Sequence, residues 1–136
     1  CATSQALSTL CDVVITMLSG DAASRDVYLG PCGLLVGNGA QTYSEMSTVS
    51  PSFISELQVL AGSFTIIDAP VSGATQAAKN GTLMIMAGAP EAVVKPLSSF
   101  FDAIGSKTII LGKKTAGATM KLAINSSSAQ FESSRV

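Results

Sequence analysis

A lysine and an asparagine near the C-terminus have a spacing that could support chemistry. Residues 115–125 read TAGATMKLAIN, and this pattern predicts a helix that begins near Ala116. Positions i and i+4 share one face of a helix, so Lys121 and Asn125 would point at the same place. An amine and an amide directed at one spot could act as an acid/base pair on a carbonyl or alcohol group. The alternative is a solvated surface lysine next to an asparagine that ends the helix.

The composition excludes several other kinds of chemistry. The 136-residue chain contains no histidine, which removes Ser-His-Asp triads, Cys-His pairs and histidine-ligated metal centres. Its formal net charge is −1, so no basic surface indicates binding to nucleic acid or to an anionic membrane. The mean hydropathy of +0.45 is high, but no apolar run is long enough to span a bilayer. These properties indicate buried parallel strands or a surface that a partner covers.

The three cysteines predict a reducing compartment. Cys1, Cys11 and Cys32 lie in the N-terminal quarter of the chain, and no C-x-x-C spacing joins them. This arrangement is typical of small packing residues rather than of a disulfide framework or a metal site. The sequence shows no signal peptide. We therefore expect a cytoplasmic protein without a bound metal.

Strand-like and helix-like segments alternate along the chain. Short apolar or β-branched runs predict about five strands, and capped or amphipathic stretches predict helices between them. Such alternation is typical of an α/β fold with a mostly parallel sheet and flanking helices. The predicted strands are 12–18, 42–47, 64–68, 82–87 and 107–111, and the predicted helices are 21–29, 50–60, 76–80, 90–104 and 116–126.

Three polar loops follow the first three predicted strands. Ligands bind beyond the carboxyl ends of the strands in a parallel sheet, so these loops would share one edge. They are residues 18–20, 47–51 and 68–73, and each offers hydroxyls or backbone N–H groups that a glycine leaves accessible. Thr48 could line a cofactor pocket, and Ser72 with Gly73 could hold a carboxylate. Ordinary turn and helix-cap residues are the alternative for all three loops.

Taken together and in order, these stretches resemble the β-hydroxyacid dehydrogenase family, which includes 3-hydroxyisobutyrate dehydrogenase and tartronate semialdehyde reductase. The similar stretches extend from about Cys11 to Asn125 and read DVVITML, LGPCGLL, STVSP, DAPVSG, AKNGTLMIMAG and G-x-x-x-x-G-x-x-x-K-x-x-x-N. The resemblance implies hydride transfer between NAD or NADP and a short 3-hydroxy acid or semialdehyde. It also implies that residues 1–126 are only the C-terminal half of a Rossmann-like domain, so that the domain is partial. Residues 127–136 would form a polar tail.

The resemblance assigns a role to each candidate site residue. Lys121 would be the general acid/base, and Asn125 would orient the substrate beside it. Ser72 and Gly73 would bind the substrate carboxylate. The residues that would contact the cofactor are Leu18, Ser19 and Thr48.

The chain also departs from the family pattern. The sequence has no G-x-G-x-x-G turn for the pyrophosphate, so it would begin just before the family's fourth strand and would end before the family's helical domain. Smaller departures are Ser19 in place of proline, and Ala74 and Thr115 in place of glycine. We therefore expect no useful dinucleotide affinity from this chain as a monomer. A non-catalytic remnant that acts as an oligomeric interaction module is the alternative function.

The same comparison predicts how the chain would assemble. Without the family's first strand, residues 12–18 would form an exposed apolar edge, and such edges pair with other chains. We expect a homodimer in which these strands pair in antiparallel fashion across a two-fold axis.

Overall fold

The computed structural model describes residues 2–133, which form an α/β fold built on two three-stranded sheets. The first sheet is parallel, with the order β1 (Val13–Thr16), β2 (Thr42–Glu45) and β3 (Thr65–Asp68). The second has the order β4 (Val71–Ser72), β5 (Leu83–Ala87) and β6 (Gly105–Ile110), with β4 antiparallel to β5 and β6 parallel to it. The predicted fold class, a mostly parallel sheet with flanking helices, is confirmed.

The helices lie between the strands, as the alternating pattern predicts. Ser50 begins the third of them as its N-cap, because its hydroxyl accepts a hydrogen bond from the Phe53 N–H, and Pro51 occupies the first turn. The α-helices are α1 (Ser4–Leu10), α2 (Asp21–Leu29), α3 (Pro51–Leu60), α4 (Thr75–Lys79), α5 (Glu91–Val94), α6 (Ser98–Ile104) and α7 (Ala116–Ser133). None of the helices in residues 2–133 is both long and apolar enough to cross a lipid bilayer.

The segment after β3 joins the two sheets. The Gly88 N–H donates to the Asp68 carbonyl at 2.8 Å, and the Met86 N–H donates to the Pro70 carbonyl at 2.9 Å. The chain that pairs with β2 up to Asp68 therefore pairs with β5 from there to Ser72. We call residues 68–72 the seam, because they carry backbone hydrogen bonds from one sheet to the other.

Two apolar clusters pack on the opposite faces of the strands. Successive side chains of a strand point to opposite faces, so Ile66 joins a cluster with Val14 and Tyr43, while Ile67 joins one with Ile85 and Phe101. The first cluster also contains residues of α2 and α3. Helix α7 packs against α3, β3 and β5 and places the buried Ala118 in that first cluster.

The single helix predicted over 90–104 is wrong. The structure divides it into α5, a 3₁₀ turn over Lys95–Leu97, and α6. Pro96 cannot donate a backbone hydrogen bond, and its ring crowds the preceding turn, so the helix tightens at this point.

The last helix is longer than predicted. It continues past Ser126 to Ser133, so residues 127–133 of the predicted polar tail are helical, and residues 134–136 lie outside the described residues. The hydroxyls of Ser126, Ser127 and Ser128 each donate to the carbonyl one turn earlier, at 2.9–3.0 Å. These bonds satisfy the hydroxyls within the helix, so the serine run does not end it.

Two elements and one cysteine differ from the prediction. The pattern did not predict α1 or the short strand β4, so the described residues contain six strands rather than five. Cys11 is half-buried against the first cluster, as expected, whereas Cys32 is exposed, so its assignment as a packing residue is wrong. Cys1 lies outside the described residues.

Candidate functional site

Hydrogen bonds hold together the two loops that were predicted to contact a cofactor. The Leu18 N–H donates to the Ser47 hydroxyl at 2.7 Å, which connects the loop after β1 to the loop after β2. A second connection joins the helices that follow, because both the N–H and the hydroxyl of Ser50 donate to the Asp21 carboxylate, at 2.8 and 2.5 Å. Ser19 and Thr48 are exposed on the loops that these bonds connect, and Leu18 is half-buried.

A row of buried polar residues lies behind these loops. Thr16, Glu45 and Asp68 are the last residues of β1, β2 and β3 and lie in register across the sheet. Glu45 accepts a hydrogen bond from the Ser47 N–H at 2.8 Å, and Thr16 shares one with the Tyr28 hydroxyl at 2.9 Å. Burial, assisted by the charge of Glu45, raises the pKa of Tyr28, so its hydroxyl stays protonated.

Asp68 connects this row to the helix that carries the lysine. Its side chain is fully buried, and Oδ2 accepts a hydrogen bond from the Ala118 N–H at 2.8 Å. Burial raises the pKa of this carboxyl from 3.8 to about 6, while hydrogen bonds from the backbone N–H groups of Ala118, Gly117 and Thr115 partly oppose that rise. Within the described residues, Asp68 Oδ1 and Glu45 Oε2 are buried without a hydrogen-bond partner.

The substrate-binding and acid/base candidates lie on two elements that both pack against β5. Ser72 is half-buried at the end of β4, and the exposed Gly73 follows it with a φ of +141°. Lys121 is half-buried on α7, and Asn125 is exposed one turn further along the same helix. The predicted helix over Lys121 and Asn125 is therefore confirmed, while their roles remain predictions.

Thr115 occupies a backbone conformation that suits glycine. Its φ of +65° makes it the one residue other than glycine with a positive φ among the described residues. A β-branched side chain is strained in this region. Thr115 directly precedes α7, and its carbonyl accepts hydrogen bonds from both the N–H and the hydroxyl of Thr119. A glycine would adopt this backbone conformation without strain.

Replacing Thr115 with glycine should therefore stabilise the protein. We expect Thr115→Gly to raise the free energy of unfolding by about 1 kcal/mol, because relief of the left-handed strain exceeds the entropic cost of glycine. Thr119→Gly, within the same helix, should lower it by about 1 kcal/mol. Urea unfolding of both variants measures whether the free energy of unfolding rises or falls in each. A loss of stability in Thr115→Gly would contradict the prediction.

Parallel strands, flanking helices and polar loops at the carboxyl edge define a Rossmann-like nucleotide-binding fold. Residues 1–112 match the family model described as the NAD binding domain of 6-phosphogluconate dehydrogenase. The chain therefore belongs to this family of NAD-binding domains.

Similar proteins include enzymes and a nuclear factor. The cytokine-like nuclear factor N-PAC of Danio rerio is 36% identical over 121 residues, which cover 86% of this chain and 26% of that protein. The 2-(hydroxymethyl)glutarate dehydrogenase of Eubacterium barkeri is 35% identical over 128 residues, covering 92% and 42%. The structure of Mycobacterium tuberculosis 3-hydroxyisobutyrate dehydrogenase with L-serine superimposes with a TM-score of 0.83 at 28% identity, covering 92% and 43%. The predicted resemblance to hydroxyacid dehydrogenases is confirmed, and the chain spans less than half the length of each of these three proteins.

Sequence reasoning missed the residues that connect the loops. Ser47 and Asp21 were within segments that the pattern singled out, but neither was assigned a role, and Asp68 was considered only as the end of a strand and the start of a loop. A polar residue at the end of a buried strand is a signal that could have identified Asp68, because a buried carboxylate requires partners.

Proposed function

We propose that this chain forms the nicotinamide- and substrate-facing side of an NAD(P)-dependent 3-hydroxyacid dehydrogenase site. The observation that carries this proposal is the hydrogen-bonded junction between the loops after β1 and β2, which presents Ser19 and Thr48 together at the carboxyl edge. Family membership supports the same conclusion. The substrate class comes from the similar dehydrogenases, and the cofactor is NAD or NADP.

The residues of the junction fit a dinucleotide. Ser19 and Thr48 offer exposed neutral hydroxyls, and Gly20 has a φ of +141° with no other atom near the position of a Cβ. Backbone N–H groups and hydroxyls next to such a glycine are suitable donors for the polar edge of a cofactor. Leu18, Ser19 and Thr48 would hold the nicotinamide half. When bound, the nicotinamide would supply or accept the hydride.

The proton would be moved by Lys121. Its Nζ would donate a proton to the substrate carbonyl oxygen during reduction and would remove it from the hydroxyl during oxidation. Ser72 and Gly73 would hold the substrate carboxylate through the hydroxyl and a backbone N–H, and Asn125 would orient the substrate through its amide. The packing of both α7 and β4 against β5 supports this assignment.

A nicotinamide fluorescence titration tests the proposal. We expect saturable binding of NADH or NADPH to the 136-residue chain only in the millimolar range, because the G-x-G-x-x-G turn is missing. Thr48→Arg, which places a bulky side chain on the exposed loop, should weaken this binding further. Thr119→Arg, an equally exposed threonine on α7, is the matched control and should bind as the wild type does. No response to either cofactor at millimolar concentration would overturn the dehydrogenase proposal for this chain.

A non-catalytic interaction module is the second candidate. The edge of the first sheet favours it, because β1 pairs with β2 on one side and has no strand partner on its other side within residues 2–133. Exposed apolar side chains flank that edge, with 75% of Leu10, 41% of Val13 and 56% of Met17 accessible. The similarity to the nuclear factor supports it as well. The occupant we propose is a second copy of β1, antiparallel across a two-fold axis, which gives a homodimer.

Substitution at this edge should dissociate the dimer. Val13→Lys places a charge on the proposed pairing edge and should weaken self-association by about tenfold or more. Val59→Lys, at a valine of α3 that is 79% exposed, is the control and should leave assembly unchanged. Sedimentation at micromolar concentration measures both variants, and a wild-type monomer would refute the dimer.

A further inference from the structure

We propose that Asp68 is a positioning residue that holds the Lys121 helix against the Ser72–Gly73 turn. The roles of Lys121 and Ser72 in this statement rest on the proposed function, whereas the attachment of α7 to Asp68 does not. Nothing in the sequence pattern or in the similarity to known proteins assigns a role to this carboxylate.

The carboxylate caps α7 from a different part of the chain. The first N–H groups of a helix have no partner within the helix and need an acceptor. The Ala118 N–H, in the first turn of α7, finds that acceptor in Asp68 Oδ2 at 2.8 Å, across 50 residues of sequence. The N–H groups of Thr115 and Gly117 also interact with the carboxyl. A negative charge at this end of the helix is favoured by the helix dipole.

Close packing keeps the carboxylate in one place. A Cβ on Gly88 would lie 2.0 Å from Asp68 Oδ1 and 2.6 Å from its Cγ, so the Gly88 backbone lies directly against the carboxyl. Oδ2 accepts the hydrogen bond from the first turn of α7. The side chain is therefore packed between the Gly88 backbone and the start of α7.

Both halves of the candidate site are connected to this carboxylate over short distances. Ser72 follows Asp68 within the seam, whose backbone is fixed to β5 by the hydrogen bonds of Gly88 and Met86. Lys121 lies one helical turn beyond Ala118. A displacement of α7 relative to Asp68 would thus change the separation between Lys121 and Ser72.

Few charges surround the carboxylate. Strand β5 and the first turn of α7 carry no ionisable side chain. Glu45 is the register partner on β2, and it is hydrogen-bonded to the Ser47 N–H rather than to α7. The nearest cationic residues in sequence to the start of α7 are Lys113, Lys114 and Lys121.

A titration of the wild-type chain tests the attachment without any substitution. When the pH is varied, the NMR chemical shifts of the Ala118 amide proton and nitrogen should change as the Asp68 carboxyl ionises, with a midpoint near pH 6. The amide of Thr108, on β6, should show no such midpoint. An Ala118 amide that does not titrate between pH 4 and pH 8 would overturn the proposal.

Hydrogen exchange tests the effect on the lysine helix. In Asp68→Ala, the amides from Met120 to Asn125 should exchange about tenfold to a hundredfold faster relative to those of β1 and β2, which corresponds to losing one charged hydrogen bond. Asp68→Asn keeps an acceptor of the same shape and should restore protection. Glu45→Ala, which removes the neighbouring buried carboxylate, should leave α7 protection unchanged relative to the sheet.

The outcomes separate this inference from the proposed function. Faster exchange in α7 and in the sheet to the same degree would make Asp68 a general stability residue and would overturn the inference. The same holds if Asp68→Asn fails to restore α7 protection while the chain remains folded. Selective loosening of α7 in a chain that binds neither NADH nor NADPH would support the inference and overturn the dehydrogenase proposal.

Discussion

Gly117→Ala should destabilise the chain by about 3 kcal/mol or more, although alanine is the better helix former. A Cβ at this position would lie 2.4 Å from the Met86 carbonyl oxygen and 2.7 Å from the Asp68 carbonyl oxygen. Both atoms belong to the backbone, Met86 in β5 and Asp68 in β3, so no change of rotamer can relieve the overlap. The helix would have to move away from β5, and the Asp68–Ala118 hydrogen bond would be lost with it.

A glycine with free space around the position of its Cβ provides the control for this prediction. Gly62 has a φ of +60° and no other atom near the position of a Cβ. Gly62→Ala should therefore cost only about 1 kcal/mol, from the left-handed backbone alone. Urea unfolding of both variants measures the difference. Helix propensity alone would make Gly117→Ala more stable than the wild type by about 1 kcal/mol, and that result would show that α7 does not pack against the strands as described.

The free energy of unfolding should fall as the pH rises from about 4 to about 6. The Asp68 carboxyl has a pKa of about 6 in the folded chain and an ordinary value of 3.8. Between these values the folded state binds more protons than the unfolded state, so ionisation favours unfolding. The stabilisation is complete below the ordinary pKa, and a shift of this size corresponds to about 3 kcal/mol lost by the time the pH has passed 6. Urea unfolding at several pH values measures this slope.

Two variants test whether this fall in the free energy of unfolding comes from Asp68. Asp68→Asn cannot ionise and should remove the decline between pH 4 and pH 6. Glu56 pairs with Arg25 on the surface, and its hydrogen bond to Arg25 lowers its pKa, so its contribution has the opposite sign and is lost as the pH falls. Because that pair is exposed, screening keeps its contribution small. Glu56→Gln should therefore leave the Asp68 decline in place, and a decline that survives in Asp68→Asn would contradict the assignment.

The sequence predicted the helices and strands that are marked by residues within or next to the element itself. The helix that begins at Pro51 has a serine cap and a proline in its first turn, and the structure places it as predicted. Strands β1 and β3 are short apolar or β-branched runs that end at polar loops, whereas β2 reads TYSE and is more polar. The break at Pro96 was a local signal too, but Glu91 in the first turn and Gly105 just past the end favoured one continuous helix.

Features that depend on distant residues could not be read from the pattern. Strand β4 is two residues long and exists because Val71 and Ser72 pair with Ile85 and Met84. Asp68 and Ala118 are separated by 50 residues, and no periodicity relates them. The sequence thus indicated which residue types lie near the sheet edge, whereas the hydrogen bonds that hold them together follow from tertiary packing.

Helix α7 is synthesised after the strands of both sheets, and this order affects how the two sheets form. Strands β1, β2 and β3 leave the ribosome before α7 and can pair as soon as Asp68 has emerged, since domains form from the N-terminal end. Their cluster remains open until Ala118 arrives, because that residue belongs to it. Helix α7 therefore closes the first sheet, and a nascent chain that stops before α7 would expose Asp68 to water.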